Sequence, residues 1–227
     1  MQSIRALLHE IRRTLQDVAD GKEHAREVLS ILDTMDLSAA NQHHWTPVEP
    51  VHGAALQRAM AAIPHRLSRL ADGLKHALPQ LQWRVDGGIY YDLTANIGDG
   101  FRNGNMHCEL IGPDGSAFHH DDFTLGLFLL TPRVLYRDHS HRAPELYLPL
   151  MEPTGWRFAD RDWQEVLAGT VIWNVPEISH AIRVYDTPFL SIYSWTRDVR
   201  SKCRVVERAD WRELEAALGA TDRQAQL

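Results

Sequence analysis

The hydrophobic positions of the first third of the chain recur at the spacing of amphipathic helices. Apolar side chains return every three or four residues, with charged residues between them. The pattern predicts three helices, the last interrupted near Pro64, at residues 4–18, 23–35 and 54–78. Prolines and a glycine within 38–53 indicate a loop before the third helix. We therefore predict an N-terminal helical extension over residues 1–80.

After residue 80 the pattern changes to short runs of aromatic and β-branched residues, separated by turns that contain glycine. The predicted strands are residues 89–93, 106–111, 124–130, 134–136, 146–150, 171–173, 181–184 and 189–195. Many short strands at this spacing are typical of a sandwich or barrel. An amphipathic segment at about 209–218 predicts a short C-terminal helix. We therefore expect a mainly β domain over residues 81–227, with this helix at its end.

Composition excludes several classes of protein. The net charge of −6 argues against broad affinity for nucleic acid or an anionic membrane. The longest apolar stretch, residues 123–130, is far shorter than the roughly 20 residues that span a bilayer. Segment 1–15 lacks the apolar core of a secretory signal, and Cys108 and Cys203 form no CxxC pair. We expect a cytoplasmic protein with reduced thiols.

Candidate chemistry is concentrated in HSHRAPELY, residues 139–147. Two histidines, a glutamate and a tyrosine lie at its odd-numbered positions: His139, His141, Glu145 and Tyr147. Odd positions of an extended strand share one face, because side chains alternate with period two. We therefore expect these four side chains to project into one space inside a β-barrel.

A later histidine completes a candidate metal site. His180 follows the predicted turn 174–177 and would arrive from a distant strand, while Pro144 would bend the chain before Glu145. Imidazole nitrogens and a carboxylate oxygen suit one divalent transition metal ion, such as Zn, Fe, Mn, Ni or Co. Three histidines and one carboxylate leave coordination positions open, which is typical of a catalytic rather than a structural site.

These segments resemble the metal-binding motifs of the cupin superfamily. HSHRAPELY is similar to the first motif, and GTVIWNVPEISH, residues 169–180, is similar to the second. The resemblance implies a cupin fold, a double-stranded β-helix or jelly-roll barrel, over about residues 83–200. The implied ligands are His139, His141, Glu145 and His180. The chain departs from the pattern at Arg133, where the first motif usually begins with glycine, and at Ile178, in the usual glycine region of the second.

A narrower resemblance points to one family of cupins. HRAPELY at 141–147, His180 with the following alanine, and YSW at 193–195 resemble the cupin dimethylsulfoniopropionate (DMSP) lyases. The resemblance implies a metal-dependent lyase that cleaves DMSP to dimethyl sulfide and acrylate by β-elimination. It implies Tyr147 as the base, with Tyr136 as the reserve base or a positioning group. A helical N-terminal region is also expected in that family.

The implied substrate is a small zwitterion whose sulfonium end aromatic faces can attract, by up to about 2 kcal/mol when desolvated. Trp195, Tyr193 and Trp173 lie on late predicted strands and are the candidates for this pocket. Two alternatives remain open: another small-molecule cupin metalloenzyme, such as a dioxygenase or isomerase, and a non-catalytic ligand-binding cupin. The N-terminal helices would either pair two copies into a homodimer or only cover the barrel.

Overall fold

A computed structural model of the chain describes residues 1–19 and 22–224, with side chains through residue 219. Its helices are α1 Gln2–Val18, α2 Glu23–Thr34, α3 Gly53–Ala61, α4 Ser68–Ala77, α5 Asp99–Gly104 and α6 Trp211–Gln224. Short 3₁₀ turns lie at Ala39–Asn41, His65–Leu67 and Leu78–Gln80. The interruption predicted near Pro64 therefore falls between α3 and α4.

The strands of the described chain form two sheets. They are β1 Asn105–Gly112, β2 Phe118–His119, β3 Thr124–Leu130, β4 Leu135–Ser140, β5 Glu145–Pro149, β6 Thr154–Phe158, β7 Gln164–Val166, β8 Ile172–Asn174, β9 His180–Arg183, β10 Phe189–Trp195 and β11 Arg204–Val205. One sheet has the order β2-β1-β3-β10-β5-β8, and the other has the order β11-β4-β9-β6-β7. Successive strands repeatedly change sheet, so β4 and β5 lie on opposite sides of the domain. The predicted mainly β cupin fold, with N-terminal helices and a C-terminal helix, is confirmed.

The helices and sheets share one hydrophobic core. Ile4, Leu7 and Ile11 on α1 are fully buried and belong to the same cluster as the apolar residues of β3 and β10. Helix α1 packs against α4 and α2, as its apolar stripe requires. The division of the chain at residues 80 and 81 stays a prediction, as does the homodimer. No helix in the described part of the chain is long and apolar enough to cross a membrane.

Two parts of the strand prediction differ from the structure. Residues 89–93 form turns, with hydrogen bonds from the Tyr91 amide to the Gly88 carbonyl and from the Ala95 amide to the Asp92 carbonyl. The predicted strand is therefore wrong. The tyrosines of this run point into the protein one by one from the turns, whereas the apolar Ile89 and Leu93 are 70% and 102% exposed. The strands β2, β6, β7 and β11 were not predicted, because they are short and lack a long apolar run.

The backbone is glycine-like at one departure from the cupin glycine pattern and next to the other. Arg133 has φ 64°, in the left-handed region, and so does Glu177, the residue before Ile178, also with φ 64°. Such a backbone costs a non-glycine residue roughly 1–2 kcal/mol. Arg133 offsets part of that cost with an ion pair to Asp186 at 2.9 Å. The chain therefore retains the turn geometry without the glycines.

A buried carboxylate fastens α6 to the outer side of the five-stranded sheet. Asp138 on β4 is fully buried and accepts hydrogen bonds from Trp211 Nε1 at 2.7 Å and Arg157 Nη2 at 2.6 Å. Asp210 lies on the other side of the same guanidinium. These contacts join the start of α6 to the strand that also carries His139.

We expect Asp138→Asn to lower the free energy of unfolding by about 3 kcal/mol, because Arg157 loses its fully buried partner and keeps only Asp210, which is 42% exposed. Urea denaturation followed by circular dichroism measures the change. Asp160→Asn is the matched control, since Asp160 is 87% exposed where it pairs with Arg208. Its expected change is below about 0.5 kcal/mol. Equal stability of the two variants would refute the anchoring role of Asp138.

Candidate metal centre

The segment 139–147 crosses from one sheet to the other. His139 lies in β4 of the five-stranded sheet, and the chain enters β5 of the six-stranded sheet at Glu145. The prediction that one extended strand places all four odd positions on a single face is therefore wrong. Residues 141–144 are non-strand, and proline at 144 cannot donate to a ladder. The side chains still converge because the inner faces of the two sheets oppose each other.

Three histidines meet at the junction of these strands. His180 begins β9 and is the cross-strand partner of His139, with ring centroids 4.2 Å apart. The ring of His141 lies 5.0 Å from that of His180. One nitrogen from each ring lies within 4.8 Å of the others, and all three residues are at most 3% exposed. The structure thus brings together the histidines that the sequence predicted as ligands.

Backbone carbonyls orient all three rings in the same way. Nδ1 of His139 lies 2.8 Å from the Arg137 carbonyl, and Nδ1 of His141 lies 2.7 Å from the Ala143 carbonyl. His180 repeats the arrangement at 3.4 Å from the Ile178 carbonyl. A carbonyl only accepts hydrogen bonds, so each Nδ1 carries the proton and donates it. When such an imidazole is neutral, its Nε2 keeps the lone pair, which is directed to the centre of the cluster.

Glu145 faces the same centre from the opposite sheet. Its Oε2 lies 3.2 Å from His141 Nε2 and 3.4 Å from His180 Nε2. Trp195 Nε1 donates to Oε1 at 2.8 Å, and Asn174 Nδ2 donates to Oε2 at 2.7 Å. Burial alone would raise the pKa of Glu145, but His141 and His180 outweigh it and hold that pKa well below its usual range. The carboxylate is thus ionised and fixed in orientation.

The donor set fits a divalent transition metal. Burial first, and then the other two histidines, lower the pKa of His139 well below 6.5, so its imidazole is neutral, as a metal ligand must be. His180 Nε2 is buried and has no well-aligned hydrogen-bond partner among the described residues. An orphaned nitrogen beside a carboxylate and two more lone pairs is what a bound cation would satisfy.

The two predicted catalytic tyrosines lie on different sheets and pack on the same ring, that of Phe128. Tyr147 is two residues beyond Glu145 on β5 and shares its face. Burial first, and then the negative charge of Glu145, raise the pKa of Tyr147 well above 10. Tyr136 stacks on the His139 ring at 4.0 Å and on Phe101 at 4.0 Å. Its hydroxyl is 2.6 Å from that of Tyr91.

A cavity of about 470 Å³ opens beside the cluster. Its wall includes Glu145 together with Tyr147, Tyr136, Tyr193 and Trp195. This volume lies within the usual range of small-molecule sites, which is roughly 300–1,000 Å³. Four of the predicted catalytic and substrate-binding residues therefore face the same space as the carboxylate.

Trp173 does not reach this cavity. On β8 the period-two alternation directs Asn174 to Glu145, so Trp173 points to the other face of the sheet. There it stacks on His24 of α2, with centroids 4.3 Å apart and planes 3° apart. The prediction of Trp173 as a substrate-pocket residue is therefore wrong, since its ring serves helix packing.

Several side chains at the site were not predicted from the sequence. Asn174 was interpreted as part of a turn, although its register opposite Glu145 on β5 makes it a hydrogen-bond donor to that carboxylate. Tyr90 and Tyr91 fell within the wrongly predicted strand 89–93. Glu109, which also lines the cavity, lies on a predicted strand without any motif around it. Strand alternation is the only sequence signal that could have found Asn174.

Two opposed sheets that bring three histidines and a glutamate together form a cupin-type barrel with a candidate metal site. A DMSP lyase family model matches residues 23–191 of the chain. The chain therefore belongs to the DMSP lyase family. No curated protein gives a significant sequence match.

Solved structures agree with this assignment at the level of the fold. DMSP lyase DddQ from Ruegeria pomeroyi DSS-3 has a TM-score of 0.67 and 18% identity, covering 90% of this chain and 96% of that one. A structure of the DMSP lyases RdDddP and RnDddQII has a TM-score of 0.63 and 18% identity, covering 90% of this chain and 100% of the other. Coverage of 90% of this chain is more than the barrel alone provides, so each match extends into the helical first third.

Proposed function

We propose that the protein cleaves DMSP to dimethyl sulfide and acrylate by metal-dependent β-elimination. The observation that carries the proposal is the placement of Tyr147 beside Glu145, with both residues lining the same cavity. Membership of the DMSP lyase family supports the substrate. The donor set of imidazoles and one carboxylate supports Zn, Fe, Mn, Ni or Co as the single ion.

His139, His141, His180 and Glu145 would hold the ion. When bound, a divalent cation would draw charge from the substrate carboxylate, acidify the adjacent C–H and favour the phenolate form of Tyr147. The protein supplies the orientation. The backbone carbonyls fix the imidazoles, and Trp195 and Asn174 hold the carboxylate of Glu145 from its two sides.

Tyr147 is the proposed base. Its phenolate oxygen accepts the α-proton of DMSP, the C–H electron pair forms the new double bond, and the C–S bond breaks. The products are acrylate and dimethyl sulfide, which leaves as a neutral molecule and needs no acid. The released proton rests on the Tyr147 hydroxyl until solvent takes it. The high intrinsic pKa of this buried phenol makes it a strong proton acceptor once ionised.

Tyr136 is proposed to position rather than to accept the proton. Its hydroxyl is already engaged by Tyr91 at 2.6 Å, and its ring is held between Phe101 and His139. Stacked on a ligating imidazole, it would keep that ring in register with the centre. Its own pKa is raised well above 10, by burial first and by Tyr91 next.

We expect Asn174→Ala to weaken metal affinity by roughly 10–100-fold, because groups that orient metal ligands have effects of this size. Competition titration against a chromophoric chelator measures the change. Trp173→Phe is the matched control on the neighbouring residue, since Trp173 points away from the site, and its metal affinity should be unchanged. An Asn174→Ala protein with wild-type affinity would show that the amide does not support Glu145.

The function is tested by supplying DMSP that carries deuterium at both α positions to the purified, metal-loaded protein. We expect equal amounts of dimethyl sulfide and acrylate, and the acrylate should keep one deuterium because the other is removed as the α-proton. Absence of dimethyl sulfide with every one of the five metals would refute the proposal. Formation of 3-hydroxypropionate with both deuterium atoms retained would replace elimination by substitution.

A further inference from the structure

Beyond Tyr147 the cavity ends at a second carboxylate, Glu109 on β1. Glu109 pairs in register with Gly126 on β3, Gly126 pairs with Tyr193 on β10, and Tyr193 pairs with Tyr147 on β5. These four positions form one row across the six-stranded sheet. Glu109, Tyr193 and Tyr147 all line the cavity. The row therefore runs from the proposed base to Glu109.

Gly126 makes room for the aromatic wall of this row. A Cβ at position 126 would lie 2.9 Å from Cε1 of Tyr193 and 2.3 Å from the Cys108 carbonyl oxygen. The ring of Tyr193 thus extends over Gly126, in the direction of β1. Its pKa is raised well above 10, by burial first and then by the charge of Glu109, so the ring and the carboxylate are close neighbours.

Further aromatic rings surround Glu109. Tyr90 donates its hydroxyl hydrogen to Glu109 Oε1 at 2.9 Å, and its ring meets that of Trp195 edge to face at 6.1 Å. Glu109 is the one position of β1 that is not fully buried, because it opens on the cavity. One carboxylate and three aromatic rings thus close this end of the space.

The carboxylate lacks a direct ionic partner. Two cations at the cavity are engaged elsewhere, Arg200 with Asp114 at 2.8 Å and Lys202 with Asp92 at 3.7 Å. The guanidinium of Arg84 donates to Gln82, although its charge reaches Glu109. Among the described side chains, no lysine or arginine nitrogen lies within 4.0 Å of Glu109. Burial raises its pKa, and the Tyr90 hydrogen bond and Arg84 oppose that rise.

We propose that Glu109, with Tyr90, Tyr193 and Trp195, forms a cation subsite that selects substrates with a positively charged end. The inference rests on the proposed function, because it assigns the carboxylate of DMSP to the metal end and its sulfonium to Glu109. Trp195 donates to Glu145 at the metal end, and its ring meets that of Tyr90, which donates to Glu109, so one indole links the two ends of the cavity. A carboxylate in a cavity of low polarity attracts a cation strongly, and the ring faces add to that attraction.

The test compares two ligands of the same shape and different charge. The probes are 3-(trimethylammonio)propionate, which carries a cation and no sulfide leaving group, and 4,4-dimethylpentanoate, an isostere with the same carboxylate and a neutral tert-butyl end. Isothermal titration calorimetry on the metal-loaded protein measures both affinities without turnover. The variant is Glu109→Gln, which keeps an acceptor for Tyr90. The control is Asp114→Asn, which removes a negative charge from the same cavity where Arg200 already neutralises it.

We expect the wild-type protein to prefer the cation by about tenfold or more, as a single close charge pair provides. Glu109→Gln should lose that preference, because the affinity for the cationic probe falls while the affinity for the isostere stays within twofold of the wild-type value. Asp114→Asn should keep the preference. A wild-type protein that binds both probes equally, or neither, would overturn the subsite. If Glu109→Gln lowered the affinity for both probes equally, the role of Glu109 would be structural only.

The binding result also separates this inference from the proposed reaction. If Glu109 discriminates in favour of the cationic probe but the protein releases no dimethyl sulfide, the subsite is supported and the proposed lyase reaction is refuted. If the protein releases dimethyl sulfide and Glu109→Gln leaves KM unchanged, the lyase reaction is supported and the subsite is refuted. If both proposals hold, Glu109→Gln should raise KM for DMSP by about tenfold and change kcat much less. The reason is that Glu109 contacts the substrate in the bound state as well as in the transition state.

Discussion

Tyr147→Phe is expected to lower kcat for dimethyl sulfide release by roughly 10²–10⁴-fold, the usual contribution of a general base. The phenyl ring fills the same buried space next to Glu145, so the loss comes from the hydroxyl alone. Metal content should stay close to one ion per chain, because the four proposed ligands are untouched. Headspace gas chromatography measures the sulfide, and elemental analysis of the same sample measures the metal.

Tyr185→Phe is the control for this variant. Tyr185 packs near α6 and accepts a hydrogen bond from Arg183 at 2.8 Å, away from the cavity. Its activity should remain within twofold of wild type. If Tyr147→Phe retained wild-type sulfide release while Tyr136→Phe lost it, the base would be Tyr136. If both variants kept wild-type release, neither Tyr147 nor Tyr136 would be the base.

Glu145→Gln is expected to abolish metal binding, with affinity lowered by more than about 100-fold. Glu145 is the only anion among the four proposed ligands, and both its oxygens accept from N–H donors, Trp195 and Asn174. A glutamine must turn its NH₂ group to one of those donors, so it loses the charge and also a hydrogen bond. Sulfide release should fall below detection at any metal concentration that leaves the wild type saturated.

Glu177→Gln is the matched control for the loss of a glutamate charge. Glu177 lies on the exposed turn before His180 and pairs with Arg204 at the surface. Metal content and sulfide release should match those of the wild type. A Glu145→Gln protein that bound metal as tightly as Glu177→Gln would remove Glu145 from the ligand set and leave the three histidines alone.

The proposed ligands could be selected from the sequence because their residue types are rare and chemically specific at that spacing. The geometry could not, since the odd-position rule assumed a continuous strand. A four-residue crossing at 141–144 moves Glu145 to the other sheet, and only the pairing of β4 with β9 and of β5 with β10 shows that the two ends still meet. Periodicity describes one strand and carries no information on which strands oppose each other.

The groups around the ligands escaped prediction for a related reason. Asn174, Tyr91 and Glu109 are common residue types whose roles come from contacts with distant positions. Trp173 and Trp195 looked equivalent as aromatic residues on late strands. The register of β8 directs Trp173 to the outer face of the sheet, where it contacts α2. The register of β10 directs Trp195 to the inner face, where it contacts Glu145. The side of the sheet that a residue faces is decided by tertiary pairing.

The most direct test of the metal-dependent lyase is the amount of dimethyl sulfide that one preparation releases from DMSP before chelation, after chelation and after stoichiometric return of the metal. Metal content is measured at each stage. The account predicts that sulfide release disappears with the metal and returns in proportion to it. Full release from the metal-free protein would contradict a role for the His139, His141, Glu145 and His180 cluster in the reaction.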